Sequence, residues 1–284
     1  MATSQDTLWQ QFLQPVFSFL IDENSLKELS RSIDWERECD RLTNPQLSYP
    51  AYYQTQNFHG IEKGYLTSSA AVTYDAVTQY VLPPNENWVR QGLIDAIGGK
   101  PAKIIDLGCG TGSTTILLRE AFPEAEIIGL DLSPYMLAIS EYKARQLNYQ
   151  IQWLHGLAED TNLPDNSFDL VTASLLFHET PPHITQAILN ECYRLLVPGG
   201  QIIILDGNQK TLRQTPWLTN IFEEPYIQDY AEGNLDGWLG AAGLTSIRTE
   251  DIWWTSQVSY GFKPLPVNSS DREYSDDLQF AVSG

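Results

Sequence analysis

The residues from Ile104 to Ser113 combine a carboxylate with three closely spaced glycines, a pattern that lets main-chain atoms bind a ligand. Glycines at 108, 110 and 112 permit a tight turn and let a ligand approach the backbone without meeting a Cβ atom. A predicted helix follows, and its first N–H groups face any anionic group nearby. Dinucleotide binders use Gly-x-Gly-x-x-Gly, whereas this turn reads Asp-x-Gly-x-Gly-x-Gly. Its carboxylate, Asp106, would repel a pyrophosphate but could bind a cationic amino group.

Two more acidic side chains follow apolar runs further along the chain. Asp131 ends the run Ile127–Leu130, and a carboxylate at a strand end can accept both hydroxyls of a ribose. NAD sites use the same device, so Asp131 predicts a nucleoside ligand without naming it. The backbone at Ala158 and the side chain of Glu159 could pair with the edge of an adenine.

His178 is the candidate for proton transfer, because it follows the fourth apolar run at a place where substrate can reach it. It could accept a proton from an acceptor hydroxyl or carbon acid, or it could simply pack at the start of a helix. That strand end carries no acidic residue that could hold a divalent metal. The sequence therefore predicts a reaction without a metal.

The elements that must position these residues are short apolar runs alternating with helical patterns. The runs predict strands buried on both faces, as in a parallel sheet with crossover helices, at Lys103–Leu107, Glu126–Leu130, Ile151–Leu154, Phe168–Ala173 and Gln201–Leu205. Ser133-Pro134 and Thr180-Pro181 are each predicted to start a helix with an N-cap followed by proline. Pro198-Gly199-Gly200 is predicted to end the second of these helices.

The remaining sequence falls into segments of different character. Residues 1–100 are aromatic-rich with helical spacing and are predicted to form a cap. Residues 101–265 form the predicted core, in which a segment around 208–235 covers the substrate and a strand pair from Leu244 to Phe262 closes the sheet. Residues 266–284 are acidic and predict a loosely attached tail.

In order and spacing these motifs resemble the class I, Rossmann-like S-adenosylmethionine-dependent methyltransferases. The resemblance is to the small-molecule group that includes ubiquinone/menaquinone-type and sterol-type enzymes. It covers about Lys103 to Leu205 and rests on Asp106–Gly112, Asp131, Ala158-Glu159, Phe168–Val171 and Leu196–Gly200. It implies an α/β fold with a seven-stranded, mostly parallel sheet, helices on both faces and a helical N-terminal cap.

The resemblance also implies a role for each matching residue toward S-adenosyl-L-methionine and its product S-adenosyl-L-homocysteine. Asp131 holds the ribose, Leu132 flanks the adenine, and Ala158 with Glu159 reads the adenine edge. Ser174 faces the cofactor from the fourth strand, and Tyr74 is a candidate for the methionine carboxylate. The methionine portion is contacted by the glycine turn with its neighbours, namely Asp106, Gly108, Cys109, Gly110 and Gly112.

The acceptor is less constrained than the cofactor. Aromatic residues outside the core motifs predict a small apolar or aromatic acceptor; they are Tyr52, Tyr53, Phe58, Tyr65, Trp217, Phe222 and Tyr226. The fourth strand is not followed by the Asn-Pro-Pro-Tyr element of amino-group methyltransferases, which favours O- or C-methylation. A protein or RNA methyltransferase, a catalytically silent cofactor binder and a nucleotide-dependent dehydrogenase are the alternatives.

The overall composition narrows the partners and the compartment. A net charge of −19 opposes binding to nucleic acid and to anionic lipid headgroups. Three scattered cysteines predict reduced thiols, and the polar N-terminus lacks a signal peptide. No apolar run has the length needed to span a membrane. We therefore expect a cytoplasmic protein without membrane insertion.

Overall fold

The computed structural model describes residues 22–58, 61, 64–81, 84–217, 219 and 224–266. The strands are β1 (Lys103–Leu107), β2 (Glu126–Asp131), β3 (Gln152–His155), β4 (Phe168–Ser174), β5 (Leu196–Gly207), β6 (Thr245–Ile252) and β7 (Ser256–Phe262). They form one seven-stranded sheet in the order β3-β2-β1-β4-β5-β7-β6. The strands from β3 to β5 are parallel, and β7 is antiparallel to both of its neighbours. The predicted fold class is confirmed.

The helices lie on both faces of the sheet and in the N-terminal part of the chain. They are α1 (Glu23–Ser32), α2 (Trp35–Leu42), α3 (Ala51–Gln54), α4 (Ser68–Val81), α5 (Glu86–Asp95), α6 (Ser113–Ala121), α7 (Pro134–Gln146), α8 (Pro182–Leu195), α9 (Gln209–Gln214), α10 (Ile227–Glu232) and α11 (Leu235–Ala241). A 3-10 helix, Phe177–Glu179, connects β4 to α8.

Three apolar clusters hold these layers together. One lies between the sheet and α8, and it includes the buried Ile105, Val171 and Leu189. A second lies on the opposite face, where Leu93 of α5 and Leu118 of α6 are fully buried. The third joins the N-terminal helices to α7. Burial on both faces explains why the central strands read as continuous apolar runs.

The predicted helix boundaries were partly right. Ser133 caps α7, since its Oγ accepts a hydrogen bond from the Met136 N–H at 3.2 Å, and Pro134 is the first helical residue. The same prediction for Thr180-Pro181 was wrong, because α8 begins at Pro182. Its N-cap residue is Pro181, which makes no side-chain capping hydrogen bond. The Thr180 hydroxyl instead donates to the carbonyl of Phe177, because the 3-10 helix occupies the preceding residues.

The predicted end of α8 was also displaced. The helix ends at Leu195, and Pro198-Gly199-Gly200 belongs to the first part of β5. Gly199 has φ +82° and its N–H donates to the carbonyl of Lys263, which follows β7. The proline and glycines therefore bend the start of a strand rather than terminate the helix.

The N-terminal helices pack on the core through α7. Leu26, Leu29 and Ile33 belong to the cluster that surrounds Met136 and Ile139. Residues 1–21 of the predicted cap and residues 267–284 of the predicted tail lie outside the described residues. Among the helices that are described, none has the length and apolar character to cross a membrane.

Candidate functional site

A pocket lies at the carboxyl ends of β1, β2 and β4, on the edge of the sheet where the strand order reverses between β1 and β4. Ligands of open α/β sheets bind at such a point. The empty volume of the pocket, including open solvent at its mouth, is about 710 Å³. Its lining residues are Tyr52, Tyr53, Tyr65, Tyr74, Gly108, Gly110, Leu130, Asp131, Leu132, Met136, Gly156, Ala158, Glu159, Ser174, Leu175, Leu176, Glu179, Thr180 and Ile188.

Two groups of these residues come from different parts of the chain. The strand-end floor is Gly108, Gly110, Asp131 and Ser174, which follow or end β1, β2 and β4. The tyrosine wall is Tyr52, Tyr53, Tyr65 and Tyr74, contributed by the chain segment that precedes the sheet.

The glycine turn between β1 and α6 is shaped by left-handed backbone conformations. Gly108 has φ +62°, and a Cβ atom there would lie 2.8 Å from Leu176 Cδ1. Gly110 has φ +55° and open space where its Cβ would be. Side chains are disfavoured at both positions, so the turn presents bare backbone to the pocket.

Asp131 connects that turn to the next strand. One carboxylate oxygen accepts the Gly110 N–H and the other accepts the Ser133 N–H, each at 2.8 Å. Burial raises the pKa of Asp131 to about 6, although the hydrogen bonds from these N–H groups act to lower it. The carboxylate is therefore fixed by backbone atoms while it lines the pocket.

Asp106 lies behind the pocket wall rather than on it. Its side chain is 1% exposed and accepts hydrogen bonds from Thr115 Oγ1 at 2.6 Å and Thr172 Oγ1 at 2.8 Å. Burial raises its pKa to about 6, against the effect of these two bonds. The structure thus brings Asp106 under the glycine turn, because its side chain points from β1 toward α6 and β4.

Cys109 and Gly112 are also absent from the described lining of the pocket. Cys109 is 8% exposed, and its sulfur lies 3.1 Å from where a Cβ of Gly129 would be. A Cβ on Gly112 would meet Trp153 and Ser140. These two residues of the motif shape the turn from the side of β2 and α7.

Leu132, Ala158 and Glu159 line the pocket, and their contact with adenine stays a prediction. The hydroxyl of Tyr52 donates to Glu159 Oε1 at 2.9 Å. The Tyr226 hydroxyl in turn donates to the Tyr52 carbonyl at 3.1 Å. Glu159 is therefore held by a residue from a distant part of the chain.

Ser174 ends β4 and is connected to a buried ion pair. Thr114 Oγ1 donates to Ser174 Oγ at 3.0 Å and accepts from an Arg90 guanidinium nitrogen at 2.8 Å. Arg90 also donates to Glu86 Oε1 at 2.8 Å. Burial by itself would lower the pKa of Arg90, but Glu86 raises it above the ordinary value. A permanent positive charge thus lies behind Ser174, close to Tyr74.

Glu179, from the 3-10 helix after β4, also lines the pocket. The Tyr65 hydroxyl donates to Glu179 Oε1 at 2.6 Å. Asp206 anchors this short helix, since its carboxylate accepts the Phe177 N–H at 2.8 Å and lies 2.6 Å from His178 Nδ1. The carboxylate of Glu179 consequently has a fixed position on the pocket wall.

His178 itself does not line the pocket among the described residues. Its side chain is 11% exposed, with Nδ1 toward Asp206 and Nε2 3.9 Å from Glu179 Oε1. Burial would lower its pKa, but the nearby Asp206 carboxylate raises it to about 9. The ring predicted as a base is thus protonated at neutral pH; its catalytic role stays a prediction.

Known proteins share this core. Residues 104–200 match the family model described as "Methyltransferase domain". The demethylmenaquinone methyltransferase of Thermus thermophilus is 33% identical over 140 residues, which are 49% of this chain and 63% of that protein. That of Anoxybacillus flavithermus is 39% identical over 115 residues, which are 40% of this chain and 48% of that protein.

Residues 104–200 form a class I methyltransferase domain. The predicted family is thereby confirmed. The chain spans about half the length of the curated relatives that it matches, between 48% and 63% for these two.

A solved structure shows the same fold. Phosphoethanolamine N-methyltransferase 2 of Haemonchus contortus, in complex with S-adenosyl-L-methionine, superposes with a TM-score of 0.55 at 15% identity. The superposition covers 70% of this chain and 57% of that one. It therefore extends beyond the residues that the family model matches.

The pocket and its buried support contain functional candidates that the sequence did not reveal. Glu179 stands next to the predicted His178, but only the turn of the 3-10 helix shows which of the two side chains reaches the pocket. Arg90 carried no motif, because its partners Glu86 and Thr114 lie on two different helices. Across residues 22–58, 61, 64–81, 84–217, 219 and 224–266, no group of three His, Cys, Asp or Glu side chains is arranged to hold a metal ion.

Among the aromatic residues predicted to contact the acceptor, Tyr52, Tyr53 and Tyr65 do line the pocket. Phe58 is fully buried behind them, and Trp217 is 55% exposed. Tyr226 reaches the pocket only through Tyr52. Phe222 lies outside the described residues.

Proposed function

We propose that this chain transfers a methyl group from S-adenosyl-L-methionine to a small apolar or aromatic acceptor, by O- or C-methylation and without a metal, and releases S-adenosyl-L-homocysteine. The family match and the fold support the cofactor. The placement of Asp131 carries the proposal, because a partly buried carboxylate that accepts two backbone N–H groups lines the pocket beside a bare glycine turn.

The residues around the pocket suit the parts of this cofactor. A carboxylate accepts several hydrogen bonds, so Asp131 can bind both ribose hydroxyls while it keeps its backbone donors. Leu132 flanks the adenine, and Ala158 with Glu159 binds the adenine edge. Bare backbone at Gly108 and Gly110 contacts the methionine portion, whose carboxylate lies toward Ser174 and Tyr74.

The polar groups behind the floor fit this orientation. Ser174 Oγ accepts its bond from Thr114, so its own hydrogen can point to a ligand. The charge of Arg90 strengthens that donor through Thr114. Asp106, Cys109 and Gly112 act indirectly in this proposal, since they hold the glycine turn in place from behind.

Methyl transfer makes limited chemical demands on the protein. The sulfonium activates the methyl group, so the protein must align the acceptor with the S–CH₃ bond, exclude water and, where needed, accept a proton. Leu175, Leu176 and Ile188 provide an apolar surface beside the floor. Relatives named demethylmenaquinone methyltransferases support an acceptor of this class.

The partners and compartment follow from charge and cysteine usage. The net charge of −19 opposes a nucleic acid substrate, since phosphate backbones would be repelled. Cys39, Cys109 and Cys192 are free thiols in the structure, which suits the reducing cytoplasm.

Calorimetric titration with S-adenosyl-L-homocysteine tests this proposal. Asp131→Ala removes two charge-assisted hydrogen bonds to the ribose, so the affinity should fall by about 30-fold to 1000-fold. Asp169→Ala is the matched control. Asp169 also accepts two backbone N–H groups, but it lies at the amino end of β4 and the pocket lies at the carboxyl end. A folded wild-type protein that does not bind the ligand would refute the proposal. An equal loss in both variants would refute the role of Asp131.

A further inference from the structure

The four phenol hydroxyls of the tyrosine wall are not all used by the protein. Those of Tyr52 and Tyr65 donate to carboxylates, at 2.9 Å and 2.6 Å. Those of Tyr53 and Tyr74 make no hydrogen bond to any residue in the part of the chain that the structure describes. Because a buried tyrosine hydroxyl usually has a partner, these two donors are expected to find theirs in a ligand.

Tyr53 is held firmly although its hydroxyl is unpaired. The residue is 9% exposed, and the centre of its ring lies 5.2 Å from that of Phe58. Its N–H donates to the carbonyl of Pro50 at 3.1 Å, at the start of α3. Within the described structure, its oxygen is not one of the unpaired atoms that the protein encloses completely. Since Tyr53 lines the pocket, a molecule bound there can reach this hydroxyl.

The charges near the two unpaired hydroxyls differ in sign. The strongest charge acting on Tyr74 is the guanidinium of Arg90, which suits the anionic carboxylate of the methionine portion. The strongest charges acting on Tyr53 are the carboxylates of Asp131 and Glu179, and burial together with these charges raises the pKa of Tyr53 well above its ordinary value. Tyr53 therefore stays protonated and can donate, whereas an anionic ligand group beside it would be repelled.

The position of Tyr53 favours the acceptor over the cofactor. Asp131 binds the ribose in the proposed function, and in S-adenosyl-L-methionine the sulfonium is attached to that ribose through C5′. A donor lying between Asp131 and Glu179 is therefore close to the methyl group. Leu175, Leu176 and Ile188 line the same pocket, so the body of a molecule beside Tyr53 meets an apolar surface.

We propose that Tyr53 determines acceptor specificity: its hydroxyl donates a hydrogen bond to a neutral carbonyl oxygen on an apolar or aromatic methyl acceptor. This inference rests on the proposed function, since it assigns the acceptor part of the same pocket. Tyr74 remains with the methionine portion of the cofactor, so the two unpaired hydroxyls of the wall serve different ligands.

Binding of matched naphthalene probes to the protein saturated with S-adenosyl-L-homocysteine tests this contact. 2-Acetylnaphthalene and 2-isopropenylnaphthalene have nearly the same shape and differ in a carbonyl against a C=CH₂ group, whereas 2-naphthoate carries an anion at that place. The ketone should bind about fivefold or more tightly than the hydrocarbon, because the hydrocarbon leaves a buried donor without a partner. The naphthoate should bind more weakly than the ketone, because two carboxylates lie near Tyr53.

Tyr53→Phe removes the hydroxyl and keeps the ring. The preference for the ketone over the hydrocarbon should fall to about twofold or less, since the donor is gone. Affinity for S-adenosyl-L-homocysteine should stay within about twofold of the wild-type value, because sites without a shared partner act independently. Tyr149→Phe is the matched control and should keep the wild-type preference. Tyr149 does not line this pocket, and its hydroxyl donates to Glu120 at 3.3 Å.

The possible outcomes separate this inference from the proposed function. If S-adenosyl-L-homocysteine binds but the ketone binds no more tightly than the hydrocarbon, including the case in which neither binds, the role of Tyr53 is refuted and the cofactor site stands. Retention of the full preference in Tyr53→Phe also refutes it.

Two further results would overturn parts of the assignment. A loss of S-adenosyl-L-homocysteine affinity in Tyr53→Phe that exceeds the loss in Tyr149→Phe would assign the hydroxyl to the cofactor and refute its role toward the acceptor. Tighter binding of the naphthoate than of the ketone would refute the selection of a neutral oxygen. Failure of the folded wild-type protein to bind S-adenosyl-L-homocysteine would refute both this inference and the proposed function.

Discussion

The strand-end floor and the tyrosine wall face each other across one pocket, but they are held in different ways. Floor residues are fixed by main-chain atoms and by polar groups buried under the sheet edge, as with Asp131 between two backbone N–H groups. Two residues of the wall are fixed by phenol hydroxyls that donate to carboxylates of the core, Tyr52 to Glu159 and Tyr65 to Glu179.

Substitutions in the two regions should therefore have different consequences. The geometry of the floor is set by the pairing of β1 with β2 and β4. A substitution in the floor should therefore disturb both folding and ligand binding. Each of these two hydrogen bonds joins residues more than 100 positions apart in sequence. Each stabilises the folded state by about 1–3 kcal/mol. A change in the wall should therefore alter the pocket while the sheet stays intact.

The largest expected effect is a loss of folding stability when the buried ion pair between Glu86 and Arg90 is broken. Glu86→Ala leaves Arg90 buried without its carboxylate partner, and such a loss destabilises a protein by about 3–5 kcal/mol. Urea unfolding followed by circular dichroism measures it. Glu250→Ala, which breaks the exposed pair with Arg248, should cost about 1 kcal/mol or less. The double variant Glu86→Leu/Arg90→Met should lose less than Glu86→Ala, and the opposite order would contradict this account of the floor.

The second effect is a pH dependence that belongs to the floor alone. Burial raises the pKa of Asp131 to about 6, and the deprotonated carboxylate is the form that accepts the ribose hydroxyls. Affinity for S-adenosyl-L-homocysteine should therefore be full above this pKa and fall as pH drops below it, by about 10-fold between pH 7 and pH 5. Calorimetry at several pH values checks this.

Two variants assign that titration. Asp131→Asn should bind weakly at every pH in this range, with little pH dependence. Asp106→Asn should retain the dependence although the pKa of Asp106 is also about 6, because Asp106 lies under the glycine turn and does not line the pocket. A pH dependence that disappears in Asp106→Asn and persists in Asp131→Asn would reverse the assignment.

A third effect separates the two ends of the wall. Tyr52→Phe frees Glu159, so affinity for S-adenosyl-L-homocysteine should fall by about 10-fold, as for a lost bond to a charged group. Tyr65→Phe should leave that affinity within about twofold, because its hydroxyl bonds Glu179, which follows β4, and not Glu159. Titration of both variants with this ligand makes the comparison. Equal losses would show that the wall acts as one unit.

The smallest effect concerns the last residue of β4. Ser174→Ala removes one neutral hydroxyl from the floor, and affinity for S-adenosyl-L-homocysteine should fall by about fivefold. Affinity for 5′-methylthioadenosine, which lacks the amino acid portion, should be unchanged. Ser167→Ala, in the exposed loop before β4, is the control for both ligands. A similar loss for both ligands in Ser174→Ala would show that Ser174 does not act on the amino acid portion of the cofactor.

Local sequence patterns determined the core of this molecule. Apolar runs specified β1, β2, β3 and β4 to within one residue at each end, whereas β5 begins at Leu196, five residues before its predicted start. The central strands β1, β2 and β4 carry a strong signal of their own because both of their faces are buried. The glycines at 108 and 110 marked the turn, since left-handed backbone favours glycine wherever it occurs. Asp131 was placed at a strand end beside that turn, where the structure has it.

Tertiary structure decided which of the candidate side chains reach the pocket. Asp106 and Asp131 both belong to strand-end motifs, yet one is enclosed by Thr115 and Thr172 while the other faces the cavity. The 3-10 helix after β4 turned Glu179 to the pocket and His178 to Asp206. Hydrogen bonds from Tyr52 and Tyr65 join segments far apart in the chain, and periodicity and motif spacing describe only near neighbours. Packing of the N-terminal helices against α7 was therefore needed to build the wall opposite the floor.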